Sequence, residues 1–349
     1  MRLGFYVTGS ATATYDDLIA QVEELDAAGF HAVWLRERHF HRDHGGRNFF
    51  SSPLVVAAHL AQRTQKLRIG LGARILSLDH PLRIAEDAAT VDVLSGGRLD
   101  LGIARIGEQD LYQLGFGTTA EDARARFEEA LEIILGAWRG EPFAFDGRHW
   151  SFPEVTVGPP PLQRPHPPVY LVGISDSTLQ FGAERGFPLL LAAAQPVSLV
   201  RRTQDTYYSL LARQGHDPAT VSLPLNRFVY VGETDRQAED DLREAVMSFI
   251  GRPDSTIRDF LGLRPEEITY ERLLEDVFIV GSSERCAERI LALEDELDVR
   301  DLVLTFNYFT LDHEQCLASM RRFVEEVAPK LPEPQPLPKA TAPLSEAIR

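Results

Sequence analysis

Only two cysteines, Cys286 and Cys316, occur in 349 residues. That number rules out a disulfide framework, and no cysteine or histidine spacing matches a metal site. Apolar runs are short, and none approaches the ~20 residues that a membrane-spanning helix needs. Positive charge is scarce: 36 Lys and Arg against 52 Asp and Glu give a formal net charge of −16. Such a balance argues against nucleic acid or a membrane surface as partner, and still permits one local cationic pocket. The glycine fingerprint of a dinucleotide fold is missing after the first strand. The opening residues, MRLGFYVTGS, turn polar too soon for a signal peptide, so a cytoplasmic location is expected. The remainder, 44% hydrophobic and 25% charged, is ordinary for a globular chain with a large core.

The most legible stretch runs from Leu67 to Arg105. Leu67, Ile69 and Leu71 alternate with Arg68, Gly70 and Gly72, the period of a strand. Pro81 suits a first helical position, Ile84, Ala88 and Val91 follow at helical spacing, and Gly96-Gly97 closes the helix. Leu99, Leu101 and Ile103 then alternate again. A strand–helix–strand unit of this length predicts a right-handed crossover between parallel strands. The rhythm recurs, with further strands over 3–7, 31–35, 169–172, 189–193, 225–231 and 302–306, and a short strand or loop over 277–280. About eight strands, each followed by a helix, predict a (β/α)₈ TIM barrel forming one domain over residues 1–331. Insertions are expected near 139–168, rich in Gly and Pro, and 251–276, charged and long enough for a lid. The proline-rich tail over 332–349 is expected to be disordered.

Barrels place their chemistry at the carboxyl ends of the strands. Arg105 ends one strand, where a guanidinium binds phosphate through several N–H donors or pairs at the surface with an acid such as Glu108. Ser175, Ser177 and Thr178 precede a helix, a setting that suits phosphate binding or simple N-capping. Gly72 and Ala73, with Gly70, leave room for something large and flat or fill a narrow barrel interior. Glu37-Arg38-His39-Phe40 follows the second strand. The His39 imidazole exchanges a proton near pH 7, or is fixed by a loop carboxylate. Arg38 stays protonated and suits an oxyanion better than it suits base chemistry.

Four blocks carry a resemblance: ERHF at 37–40, DHPLRIAEDAATVDVLSGGRLDLGIAR at 79–105, PPPLQRPHPPVYLVGISDSTLQFGAERG at 159–186 and GSSERCAERI at 281–290. They resemble the bacterial luciferase-like flavin-dependent monooxygenases, over nearly the whole chain to about Leu331. The resemblance implies a (β/α)₈ barrel that binds reduced FMN, or in one branch a deazaflavin, at its strand ends. It implies a homodimer, fed by a separate flavin reductase, that uses O2 to oxygenate a small organic substrate through a peroxyflavin. A deazaflavin-dependent oxidoreductase moving hydride, and a non-catalytic flavin-binding protein, are the alternatives. By position, Gly72-Ala73 resembles the family's non-prolyl cis peptide behind the flavin ring. Arg105, Ser175, Ser177 and Thr178 match its phosphate site, and Tyr6 a pocket-lining position or an ordinary core residue. The chain departs from the luciferases proper at Arg38, where they carry the first and catalytic of two adjacent histidines. His39 keeps the second, so His39 and Arg38 are the catalytic candidates and aldehyde-oxidising light emission is disfavoured. Ala104 stands where a reactive cysteine can precede the arginine, and Ile174 where some members carry glutamate.

Overall fold

The computed structural model describes residues 1–8, 12–40, 51–105, 115–251, 261, 263–307 and 310–334. The chain opens with β1 (Arg2–Val7), α1 (Tyr15–Ala27), β2 (Ala32–Leu35), α2 (Pro53–Arg63), β3 (Arg68–Leu71) and β4 (Arg74–Ile75). Next come α3 (Pro81–Leu94), β5 (Leu99–Ala104) and α4 (Ala120–Ala137), then a hairpin of β6 (Phe143–Asp146) and β7 (Ser151–Val155). After it lie β8 (Val169–Val172), α5 (Asp176–Arg185), β9 (Leu189–Leu190), α6 (Val197–Arg213) and β10 (Leu225–Val231). The chain continues through α7 (Asp235–Gly251), α8 (Tyr270–Asp276), β11 (Phe278–Gly281), α9 (Ser283–Leu297), β12 (Asp301–Thr305) and α10 (His313–Arg322). Two compact units result among the described residues: Met1–Val33 with 173–334, and Trp34–Val172.

In the first unit, β11, β10, β12 and β1 lie side by side in that order. All are parallel, with Leu3 opposite Leu302, Leu225 opposite Leu302, and Phe228 opposite Phe278. Parallel strands buried on both faces read as nearly continuous apolar runs, as LVLT at 302–305 and FIV at 278–280 do. The helix α1 starts at a capping box: Thr14 Oγ1 accepts from the Asp17 N–H, and the Asp17 carboxylate accepts from the Thr14 N–H. Cys286 on α9 and Cys316 on α10 are both buried, and neither forms a disulfide.

The charged stretch over 251–276 is not irregular throughout. Residues 252–260 and 262 lie outside the described residues, but Tyr270–Asp276 forms α8. Tyr270 and Leu273 join Tyr230, Leu242, Val246 and Phe278 in one buried cluster, and Tyr270 Oη donates to the Glu239 carbonyl at 2.6 Å. The sequence reading missed this because two apolar anchors among acidic residues make too short a periodic pattern.

In the second unit β3, β5 and β8 are parallel neighbours, with Ile69 opposite Leu99 and Leu101 opposite Val169. The strand expected to run on through Gly72 ends at Leu71, and the chain resumes as β4, with Arg74 opposite Ile103 on β5. The Gly72–Ala73 peptide between them is cis. The α3 helix has Pro81 in its first turn and ends before Gly96 and Gly97, whose φ angles of +68° and +83° favour glycine. One glycine of the flat-ligand expectation, Gly70, and one outside it, Gly102, are needed for close packing. A Cβ on Gly70 would stand 2.4 Å from the Trp34 ring, and one on Gly102 1.8 Å from the Leu71 carbonyl oxygen. The room at Gly70 is therefore taken by Trp34, a correction to that reading. The 139–168 excursion is the antiparallel hairpin, with the Phe145 and Phe152 rings stacked at 6.1 Å.

Candidate functional site

The end of β2 leads directly into Arg36, Glu37, Arg38 and His39. Glu37 turns inward, and its side chain is wholly buried. It accepts from the Arg74 guanidinium, from the Ile75 backbone N–H at 2.9 Å, and from His39 Nε2 at 2.7 Å. Arg74 spans the cluster and donates from Nη2 to Asp79 at 2.8 Å. A buried carboxylate persists when every oxygen is bonded, as here. His39 is packed edge-on against Phe116, with ring centroids 4.8 Å apart, and has Phe40 at 6.0 Å. Arg38 is half-buried beside it.

This network joins two of the expected features. Ile75 and Arg74 immediately follow Gly72–Ala73, so Glu37 ties the His39 segment to the chain leaving that peptide. Ile75 lies opposite Ala104 on β5, which sets Arg105, half-buried, one residue beyond the paired position. Gly72, Ala73, His39 and Arg105 thus gather at the carboxyl ends of β2, β3 and β5, where α/β proteins hold their ligands. Glu108, the alternative partner for Arg105, lies outside the described residues. Sequence reasoning missed Glu37 and Arg74 as site residues. Glu37 was visible in the ERHF block, whereas Arg74 had no signal at 37 residues' separation.

In the first unit, Ser175 caps α5. Its Oγ lies 2.8 Å from Thr178 Oγ1 and 3.2 Å from Ser177 Oγ, and accepts from the Thr178 N–H at 3.3 Å. Gly173, with φ +147°, lets the chain turn into this cap, and a Cβ there would meet Thr178 Cγ2 at 3.4 Å. The capping expected of the Ser is thus present. Beyond it, three hydroxyls converge at a helix N-terminus, a donor set that fits a phosphate. Tyr6 sits near the end of β1, half-buried.

A cavity of about 150 Å³ in the first unit is lined by Gln204, Tyr208, Ser222, Asp298, Arg300 and Asp301. It lies at the amino ends of β10 and β12, the face that serves stability rather than chemistry in barrel enzymes. Among the described residues no helix is long and apolar enough to cross a membrane, and no group of three or more His, Cys, Asp or Glu is arranged to hold a metal ion.

Parallel strands alternating with helices, and polar side chains gathered at strand carboxyl ends, define an α/β protein of the barrel-enzyme class. The chain belongs to the luciferase-like monooxygenase family, whose pattern matches residues 2–299. It is 29% identical over 233 residues to the oxygenase component of the flavin-dependent trigonelline monooxygenase of Acinetobacter baylyi. It is 35% identical over 232 residues to an uncharacterized protein of Sinorhizobium fredii. The chain covers 61% and 66% of those two relatives' own length, less than two thirds in each case. The alkanal monooxygenase alpha chain of Photobacterium leiognathi is 27% identical over 336 residues, 90% of this chain and 91% of that one. Among solved structures, the monooxygenase RslO1 from Streptomyces bottropensis superposes with a TM-score of 0.79 at 24% identity, covering 94% of this chain and 99% of that one. The oxygenating constituent of 3,6-diketocamphane monooxygenase from Pseudomonas putida, in complex with FMN, gives 0.80 at 20%, covering 97% and 99%. These two likenesses bear out the expected luciferase-like fold.

Proposed function

We propose that the protein is the oxygenase of a two-component flavin-dependent monooxygenase: it binds reduced FMN delivered by a separate flavin reductase, and uses O2 to oxygenate a small organic substrate. The observation that carries the reading is the convergence of the Ser175, Ser177 and Thr178 hydroxyls at the N-terminus of α5. One solved structure of the same fold is in complex with FMN, and in this reading that donor set supplies the phosphate grip. Arg105, assigned to the same phosphate by family resemblance, adds charge-assisted hydrogen bonds. Gly72 and Ala73 are assigned to the face of the flavin ring, and Tyr6 to the substrate pocket. Reduced flavin, when bound, supplies the electrons that activate O2, and the protein contributes orientation, dryness and proton control.

His39, held by a buried carboxylate and walled by Phe116, is the proton-handling group of this reading. Arg38, permanently charged, steadies a developing oxyanion. A homodimer in the cytoplasm completes the proposal.

The test is direct. Purified apoprotein is titrated anaerobically with reduced FMN, reduced riboflavin and a reduced deazaflavin, and O2 uptake is then followed with candidate substrates. FMN is expected to bind more tightly than riboflavin, with substrate-dependent O2 uptake. Preference for the deazaflavin, with hydride transfer that ignores O2, would replace this reading with a deazaflavin oxidoreductase. Tight FMN binding with no turnover across substrates would favour a flavin-binding protein.

A further inference from the structure

Glu37 is the interior acid around which the β2 and β4 strand ends are fastened. Its Oε1 faces both the Arg74 guanidinium and His39 Nε2, and its Oε2 accepts from the Ile75 N–H. An ionised carboxylate accepts hydrogen bonds and donates none. The nitrogen of His39 that faces it must therefore carry a proton. In a neutral imidazole that leaves Nδ1 as the basic nitrogen. The ring has little freedom to turn, because Nε2 is anchored at 2.7 Å and Phe116 stands edge-on to it at 4.8 Å. Arg74 matters twice. It balances the buried negative charge, and its Nη2 bond to Asp79 fixes the angle at which Glu37 is met.

We propose that Glu37 is a positioning residue for His39: it locks the imidazole in the Nε2–H tautomer, so that proton uptake in the oxygenation occurs at Nδ1. The proposal rests on the reading of His39 as the proton-handling group. It goes further in assigning which nitrogen works and which carboxylate decides it.

The experiment uses the full chain without flavin, labelled with nitrogen-15 at histidine and held at a pH where imidazole is neutral. Long-range nitrogen–proton correlation spectra report the tautomer of each ring, and the His39 signals are identified by their loss in His39→Gln. The wild type is expected to show the Nε2–H form for His39. Glu37→Gln keeps an amide oxygen that accepts the same bond and is expected to retain that form. Glu37→Ala is expected to release the ring into a mixture of tautomers. In the loaded enzyme, Glu37→Ala is expected to lower turnover by ~10²-fold, the worth of a well-placed proton transfer, with partial recovery in Glu37→Gln. Finding the Nδ1–H form in the wild type overturns the proposal, whether or not Glu37→Ala folds. So does an unchanged tautomer in a folded Glu37→Ala. Failure of the wild type to bind FMN or turn over with O2 sinks the functional reading instead and leaves the tautomer result standing.

Discussion

Arg105 and Arg227 are two cations with opposite prospects. Arg105, at the end of β5, is assigned to the FMN phosphate, so Arg105→Ala is expected to weaken FMN binding by about 1.5–3 kcal/mol, the range of a hydrogen bond to a charged group. Riboflavin, which lacks the phosphate, is expected to bind wild type and variant alike in the same fluorescence titration. Equal weakening for both ligands would remove Arg105 from the phosphate site. Arg227, on β10, is wholly buried, and its recorded bonds go to the carbonyls of Ala193 and Asn226. Burial pushes its guanidinium down to about 9. A buried ion pair is often replaced by apolar side chains at no loss of stability, and Arg227, with no ion pair among the described residues, carries the desolvation cost without the ionic return. Arg227→Met is therefore expected to melt no lower than the wild type by calorimetry at neutral pH. A clear drop in melting temperature would mean that the bonds to the Ala193 and Asn226 carbonyls outweigh the cost of burying the charge.

Ser175 shows how one element serves two ends. Its Oγ caps α5, so Ser175→Ala is expected to cost about 1 kcal/mol of stability in urea unfolding. The same change is expected to weaken FMN and spare riboflavin. A variant that loses stability while keeping full FMN affinity would reduce the cluster to a cap. The elements themselves were largely legible in the sequence, because period-2 alternation over β3 and β5 and helical spacing over α3 follow from burial on fixed faces. Legibility failed where long-range packing decided the outcome. Gly70 read as part of a space for a flat ligand, yet its missing side chain accommodates Trp34. The stretch 251–276 read as charged and irregular, and long enough for a lid, yet its end at 270–276 is a helix with Tyr270 and Leu273 buried. The ERHF block exposed His39 and its carboxylate neighbour, but the Arg74 bond that buries Glu37 spans two strands and has no local pattern.

Across the whole molecule, acidic residues outnumber basic ones, and the formal net charge is −16. Several carboxylates are held below their usual range: Asp17 by the Thr14 backbone N–H, Glu24 by Arg321, and Asp235 by the Ser282 backbone N–H. A carboxyl whose folded value is depressed stabilises the fold above its unfolded value, and that stability is lost as pH falls through the folded one. Melting temperature is therefore expected to hold level above about pH 5 and to fall below about pH 4. Asp17→Asn is expected to flatten part of that acid-side slope, and an identical slope in the variant would count against Asp17 as a contributor. The two cysteines bear on how any of this is watched. Burial pushes the Cys286 thiol up to about 12, and Cys316 is fully covered on α10. Maleimide reagents attack thiolates at the surface, so the native chain offers them almost nothing. A cysteine placed at Val55 on α2, where the side chain is 71% exposed, becomes a single handle for a fluorophore or spin label, and the wild-type background needs no prior removal of thiols.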